Sequence, residues 1–261
     1  MFTFISGATG GLGKTYAEVC AKNGYDLFLT ARSGSRLAAL KKELSSKYQN
    51  INIEFFPCEL TEDFSRKALI AYVESNGFKF DRIINVAGVD TQKAFTDYSP
   101  EKAIFQIRVN CEATLLLTLG LLKNRAEKTE VLTVGSMSGV SPMPYFAIYS
   151  ASKAFLANFF TSLHYELKNE GVKITTVLPG GIPTRPDIIE EIKKQGIGGR
   201  LSAKPPEFVV KKSLKAVKKN KTICVPGAFN KFLYFMIKIA PKRIVLNFIA
   251  KRWRSHNKDA F

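Results

Sequence analysis

The run Ser6-Gly7-Ala8-Thr9-Gly10-Gly11-Leu12-Gly13 follows a short apolar stretch, Phe2-Thr3-Phe4-Ile5, and opens a segment in which Tyr16, Ala17, Val19 and Cys20 form an apolar helical stripe. A strand that turns through glycines directly into a helix leaves few folds open. The turn aims backbone N–H groups and the positive end of the helix at one point, where a pyrophosphate can sit. Gly7 permits the tight turn, and Gly11 and Gly13 lack the Cβ that would hold cofactor and helix apart. A rival reading exists, because Ala8 to Thr15 reads ATGGLGKT, a loosened P-loop. It would place Lys14 on a nucleotide phosphate and Thr15 on magnesium, and it needs a later apolar strand ending in a metal-binding aspartate. None of the later apolar runs ends that way, so the dinucleotide turn is the preferred reading.

Seven short β-type runs, at 2–6, 26–30, 51–57, 82–86, 130–135, 173–178 and 222–225, alternate with helical patterns at 12–23, 35–48, 62–76, 99–123, 147–170, 187–195 and 206–219. Runs such as Val131-Leu132-Thr133-Val134 are continuous rather than alternating, which requires burial on both faces. The order βαβα predicts an α/β fold of the Rossmann type. This is a doubly wound parallel sheet of about seven strands with helices on both faces. The chain has 261 residues, enough for one such domain, expected over 1–226, with 227–261 as a C-terminal tail.

Tyr149 and Lys153 lie four residues apart, on one face of the helix predicted over 147–170. An ammonium held near a phenol favours the phenolate, which would lower the tyrosine pKa and suit it to proton transfer near neutral pH. Ser136 lies thirteen residues before Tyr149. Ser138 and Ser141 compete for its part, and the offset favours Ser136. A proton donor, a hydroxyl and a dinucleotide turn in one chain suggest hydride transfer to a carbonyl.

These motifs together resemble the short-chain dehydrogenase/reductase family, over about residues 2–226. Gly7, Gly11 and Gly13 match its glycine pattern, with Ser6 in place of threonine. Asn85-Val86-Ala87-Gly88 resembles its N-N-A-G, and Asn110 the helix asparagine that holds a proton-relay water. Ser136, Tyr149 and Lys153 match its catalytic serine, tyrosine and lysine. Pro179-Gly180-Gly181-Ile182-Pro183-Thr184 resembles the segment beside the nicotinamide. Glu59 replaces the aspartate usually facing the adenine, and Val86 replaces an asparagine. The resemblance implies catalysis by Asn110, Ser136, Tyr149 and Lys153. It also implies cofactor contacts from Gly7, Thr9, Gly11, Leu12, Gly13, Arg32, Ser33, Glu59, Leu60, Asn85, Ala87, Gly88, Tyr149, Lys153, Pro179, Gly180, Ile182 and Thr184. Met143, Tyr145 and Phe146, with Ser136, are expected to line the substrate pocket.

The second apolar run ends Leu29-Thr30-Ala31-Arg32-Ser33, without the acidic residue that binds a ribose 2′-OH. Arg32 instead suits a 2′-phosphate, unless it is a solvated loop charge, so NADP(H) is expected in preference to NAD(H). Lys14 would add to that field, or point outward from its helix. The stretch 181–206, expected to cover the substrate, carries Ile182, Ile188, Ile189, Ile192, Ile197 and Leu201, which suits a hydrophobic, lipid-like ketone or aldehyde. A non-catalytic NADP(H)-binding regulator is the alternative, with a P-loop NTPase behind it.

Charge separates the tail from the rest. Residues 205–261 hold 14 of the 39 Lys/Arg and 2 of the 22 Asp/Glu, so most of the net charge of +17 sits there. Two apolar pieces, 232–237 and 244–249, are interrupted by Pro241-Lys242-Arg243 and closed by Lys251-Arg252-Trp253-Arg254. Neither reaches the ~20 residues of a membrane span. They fit an interfacial contact with an anionic membrane, or a lid or dimer element; nucleic acid is not expected. The four cysteines are far apart, and the two histidines have no cysteine pair for a metal site. The first apolar run is too short for a secretory leader. The expectation is a cytoplasmic homo-oligomer, peripheral at a membrane.

Overall fold

The computed structural model describes residues 1–254; the last residues of the predicted tail, with His256, lie outside them. The chain runs β1 (Phe2–Ser6), α1 (Gly11–Lys22), β2 (Asp26–Ala31), α2 (Gly34–Lys47), β3 (Ile53–Pro57), α3 (Asp63–Ser75) and β4 (Phe80–Asn85). It continues through α4 (Pro100–Ile107), α5 (Ala113–Leu122), β5 (Arg125–Val134), α6 (Ala147–Glu166) and β6 (Val172–Val177). Then come α7 (Pro186–Lys194), α8 (Gly196–Ser202), α9 (Pro206–Lys218), β7 (Ile223–Cys224), α10 (Ala228–Ile239) and α11 (Lys242–Trp253).

The strands form one seven-stranded sheet in the order β3-β2-β1-β4-β5-β6-β7, and every pairing is parallel. Successive strand residues point to opposite faces, so the continuous apolar runs feed two cores at once. Ile5, Leu29, Ile84 and Leu132 pack against α1, α2 and α9. Phe4, Phe28, Ile83 and Val131 pack against α3, α5 and α6 on the other face. The strand order reverses between β1 and β4. In such sheets the crevice at the carboxyl ends of the strands on either side of that reversal is where ligands bind.

Two local features depart from the sequence expectation. The helix expected over 99–123 is continuous from Pro100 to Leu122 but passes through a π-helical turn at Arg108–Glu112. This helix is long and apolar enough to cross a bilayer, yet 44% of its most apolar window is buried in the domain. Its Asn110 and Glu112 bond to Ser152 of α6 and Arg66 of α3, while Ile104, Leu116 and Leu119 are exposed. The covering stretch holds two helices rather than one, because Gly196 breaks the chain at a φ of +68° between α7 and α8.

Candidate active site

The turn after β1 is shaped by what its glycines exclude. A Cβ on Gly13 would lie 2.1 Å from the Gly7 carbonyl oxygen, and Gly7 holds a φ of +65°, where a Cβ would lie 3.0 Å from the Ala87 backbone. Helix α1 therefore starts hard against the turn. Gly10, at its N-cap position, supplies no side-chain bond, and its first turn has no acidic residue. The first N–H groups are left for an anion. Helix α2 differs: Ser33 caps it, accepting from the Arg36 N–H at 3.3 Å. Ser6, where the family pattern has threonine, accepts from the N–H groups of Val86 and Ala87 at 3.1 and 3.3 Å. It thereby joins the ends of β1 and β4 across the switch point.

The β4 end is fixed from its other side. Asn85 donates to Thr118 and Thr133 at 3.0 and 3.3 Å, binding α5 and β5 to the strand that leads into Ala87 and Gly88. Leu12 and Ile182 pack on the apolar core beneath the turn. Pro179 accepts from Met137 N–H at 2.9 Å, so the segment 179–184 is tied to the Ser136 loop. Thr184 lies directly against Gly11.

Other expected cofactor residues hold more local bonds. Glu59 accepts from the Thr61 hydroxyl and N–H at 3.0 and 3.3 Å and so faces its own chain at the start of α3. Leu60 is buried and its carbonyl accepts from Arg66. Lys14 points outward and pairs with Glu43 at 2.8 Å, while Thr15 donates to the Gly11 carbonyl. Neither residue takes the place that a P-loop requires. Arg32 is exposed and, among the described residues, makes no ion pair.

The catalytic candidates meet at the ends of β4 and β5. Tyr149, on α6, has the Ser136 hydroxyl close enough to favour its phenolate, so Ser136 rather than Ser138 or Ser141 stands beside the phenol. Burial, reinforced by the negative charge of Asp90, pushes the Tyr149 pKa up, and the nearby Ser136 hydroxyl only partly opposes it. The expectation that Lys153 depresses this pKa is therefore corrected. Lys153 Nζ lies 5.5 Å from the centre of the Tyr149 ring and donates to the Val134 carbonyl at 3.0 Å. Burial brings its own pKa down to about 8. A phenol held neutral is a proton donor, the state that reduction of a carbonyl requires.

Asn110 sits in the π turn, fully buried. Its amide accepts from Val89 N–H at 2.8 Å and donates to the Val89 carbonyl at 2.9 Å and to Ser152 at 3.0 Å. The side chain thus clamps the segment after Gly88 to α6. An extra residue in a helix at such a point is a common way to turn one side chain into a site.

Of the expected substrate-pocket residues, Phe146 stacks on Tyr149 with ring centres 4.5 Å apart. Met143 and Tyr145 are half-buried beside it, and Tyr145 carries a φ of +63°, uncommon for a bulky residue. An open apolar groove of about 580 Å³ lies elsewhere, lined by Phe95, Ile104, Ile107 and Ile148 of α4, α6 and the loop before them.

Three residues from outside the expected site join it. Arg36 donates to the Thr9 carbonyl at 3.0 Å, placing a second guanidinium at the glycine turn; its signal is a position four residues after Arg32. Asn230, buried on α10, exchanges bonds with Ser202 at the end of α8. Trp253, the only tryptophan, stacks on Phe146 at 6.3 Å. Arg252 beside it donates to the Gln195 carbonyl at 2.9 Å.

A parallel sheet with a glycine turn at its switch point and a Ser–Tyr–Lys cluster at the adjoining strand ends defines a nucleotide-dependent oxidoreductase architecture. The short chain dehydrogenase family model matches residues 2–194, and the chain belongs to that family. Its relatives include a very-long-chain 3-oxoacyl-CoA reductase of Podospora anserina, 34% identical over 183 residues, covering 67% of this chain and 52% of that protein. The human very-long-chain 3-oxoacyl-CoA reductase is 28% identical over 225 residues, covering 82% of this chain and 67% of that one. The chain therefore spans about half the length of several of the curated relatives it matches. Among solved structures, a 7β-hydroxysteroid dehydrogenase superposes with a TM-score of 0.84 at 22% identity, over 95% of this chain and 96% of that one. A short-chain dehydrogenase from Sphingobium yanoikuyae, in complex with NADPH, does so at 0.77 and 23% identity, over 100% and 99%. These likenesses speak for the fold.

Proposed function

We propose that the protein reduces a ketone on a long apolar chain, of the 3-oxoacyl type, with NADPH as the reductant. The observation that carries the reading is the gathering of Ser136 and Lys153 beside the Tyr149 phenol, which burial keeps protonated. The turn at Gly7 to Gly13, with Thr9, Leu12, Asn85, Ala87 and Gly88, would hold the dinucleotide. The stretch Pro179 to Thr184, with Gly180 and Ile182, would lie along it. Bound there, NADPH would supply hydride to the carbonyl carbon. As charge gathers on the carbonyl oxygen, Ser136 donates a hydrogen bond and Tyr149 delivers its proton. Lys153 returns a proton toward Tyr149 and orients the ribose. Because the Asn110 amide is committed to Val89 and Ser152, a relay water at this residue belongs to its backbone, and its side chain positions the floor of the site.

Preference for NADP(H) is supported by the absence of an acidic residue after β2 and by two arginines there. Arg32 is open to solvent and Arg36 lies on Thr9. Replacing Arg32 by Ala should weaken NADPH binding by about tenfold and leave NADH binding unchanged. The names of the relatives and the apolar cover over 181–206 support the substrate class. We take 1–226 as the catalytic unit and 227–261 as a tail that meets an anionic membrane, with the protein peripheral on its cytoplasmic side. A homo-oligomer is supported by the exposed Ile104, Leu116, Leu119 and Phe155 on α4, α5 and α6. Loss of NADPH absorbance with a long-chain 3-oxoacyl thioester is the direct test. Failure to reduce that thioester, or other lipid ketones, with NADPH or NADH would overturn the proposal.

A further inference from the structure

Helix α10 is apolar on both sides. Its buried Asn230 and half-buried Leu233, Tyr234 and Ile237 face the domain. The opposite face presents Phe232, Phe235, Met236 and Ile239, at helical spacing, with exposures of 58, 60, 39 and 59%. Helix α11 repeats the arrangement: Val245 and Ile249 are half-buried, and Ile244 and Phe248 are each 65% exposed. Residues 228–254 contain no Asp or Glu, and Lys231, Lys238, Lys242, Arg243, Lys251 and Arg254 are all exposed. A helix that is apolar all round belongs in a core or a lipid phase.

Charge decides what covers these faces. A second copy seated on the same patch would bring two sets of lysines and arginines together with no acidic residue among them, and like charges would repel. An anionic lipid surface would neutralise them, each basic side chain adding to the attraction near the headgroups. The same two helices also build the rim of the active site. Asn230 binds α10 to Ser202 of the cover, Arg252 holds the α7–α8 junction at Gln195, and Trp253 stacks on Phe146, which stacks on Tyr149.

We propose that α10 and α11 are a membrane-seated lid. Their outer faces lie in the acyl boundary of an anionic bilayer, and seating them lifts Trp253 from Phe146. A lipid-borne ketone then passes from the bilayer to the site without crossing water. This rests on the lipid-ketone reading above.

The test uses the full chain with NADP⁺ bound, vesicles of phosphatidylserine and phosphatidylcholine, and Trp253 as the sole indole reporter. With these vesicles, and not with phosphatidylcholine alone, Trp253 emission should move to shorter wavelength and be quenched by brominated acyl chains. With NADPH in place of NADP⁺, turnover of a short water-soluble ketone should rise about fivefold as the lid population shifts. The Phe235→Glu/Phe248→Glu variant should keep NADP⁺ binding yet lose vesicle affinity by about a hundredfold. Vesicle binding with unchanged Trp253 emission and unchanged turnover would overturn the lid. So would no vesicle binding, or a dimer in light scattering that this variant dissolves. A Trp253 response without reduction of any ketone would instead strike the enzymatic reading and leave the lid standing.

Discussion

Around the glycine turn, polar groups are committed and space is used up. Ser6 holds two N–H groups, Asn85 ties β4 to two neighbours, and Gly13 has no room for a Cβ. Around the C-terminal helices the reverse holds: a few polar bonds fasten α10 and α11 to the cover, while large apolar side chains stand in solvent. Tyr149 lies between these regions, beside Ser136 on the rigid side and stacked on Phe146, which Trp253 covers, on the open side. A fixed half suits a cofactor of constant shape, and a loosely fastened half suits a substrate whose tail must be admitted and released.

The largest effect expected in the rigid half is chemical. Tyr149→Phe removes the proton donor and leaves the stack on Phe146, so turnover should fall by about a thousandfold while NADPH titrations stay unchanged. Turnover within a few-fold of the parent would remove Tyr149 from the mechanism. Next comes packing. Gly13→Ala must displace the Gly7 carbonyl, now 2.1 Å from the incoming carbon, at a cost of about 3 kcal/mol in urea unfolding.

The third effect has the opposite sign. Burial lowers the Lys153 pKa from 10.5 to about 8, so the unfolded chain binds more protons between these values and stability rises through that window. Below about pH 8 the full cost of the buried charge is present. Lys153→Met removes it but leaves the Val134 carbonyl short of a donor. The variant should be more stable by about 2 kcal/mol at neutral pH, with the gain shrinking toward pH 10.5, and should lose turnover. A gain that grew with pH would show that burial does not set this pKa.

The same contrast explains what the sequence disclosed. The strands and the turn were legible because parallel strands need continuous apolar runs and because glycine alone fits Gly7 and Gly13. Tyr149, Lys153 and Ser136 were legible by their spacing, and α6 and the Ser136 loop do bring them together. The direction of the Tyr149 shift was not, because it depends on burial and on Asp90, fifty-nine positions away in the chain. The π turn at Asn110 leaves no mark in the apolar periodicity. Arg36, Asn230 and Trp253 act through contacts made across long stretches of chain, which spacing does not record. The tail's basic and apolar character was visible, and its attachment to Phe146 and Gln195 was not.

The smallest effect on stability is the sharpest test of the open half. Phe235 is 60% exposed on α10, on the face opposite buried Asn230. If that face contributes nothing to folding, Phe235→Ser should change unfolding free energy by less than about 0.5 kcal/mol, the size of an ordinary surface substitution. A substitution in the rigid half at Phe4, which is fully buried, would leave a cavity and cost about 3–5 kcal/mol if made to Ala. Should Phe235→Ser cost as much as a core change, the stripe would be part of the fold, packed in solution by something other than lipid. A near-zero cost leaves a large apolar side chain in water with no folding reason to be there, and the reason must then be sought in what the helix meets outside the domain.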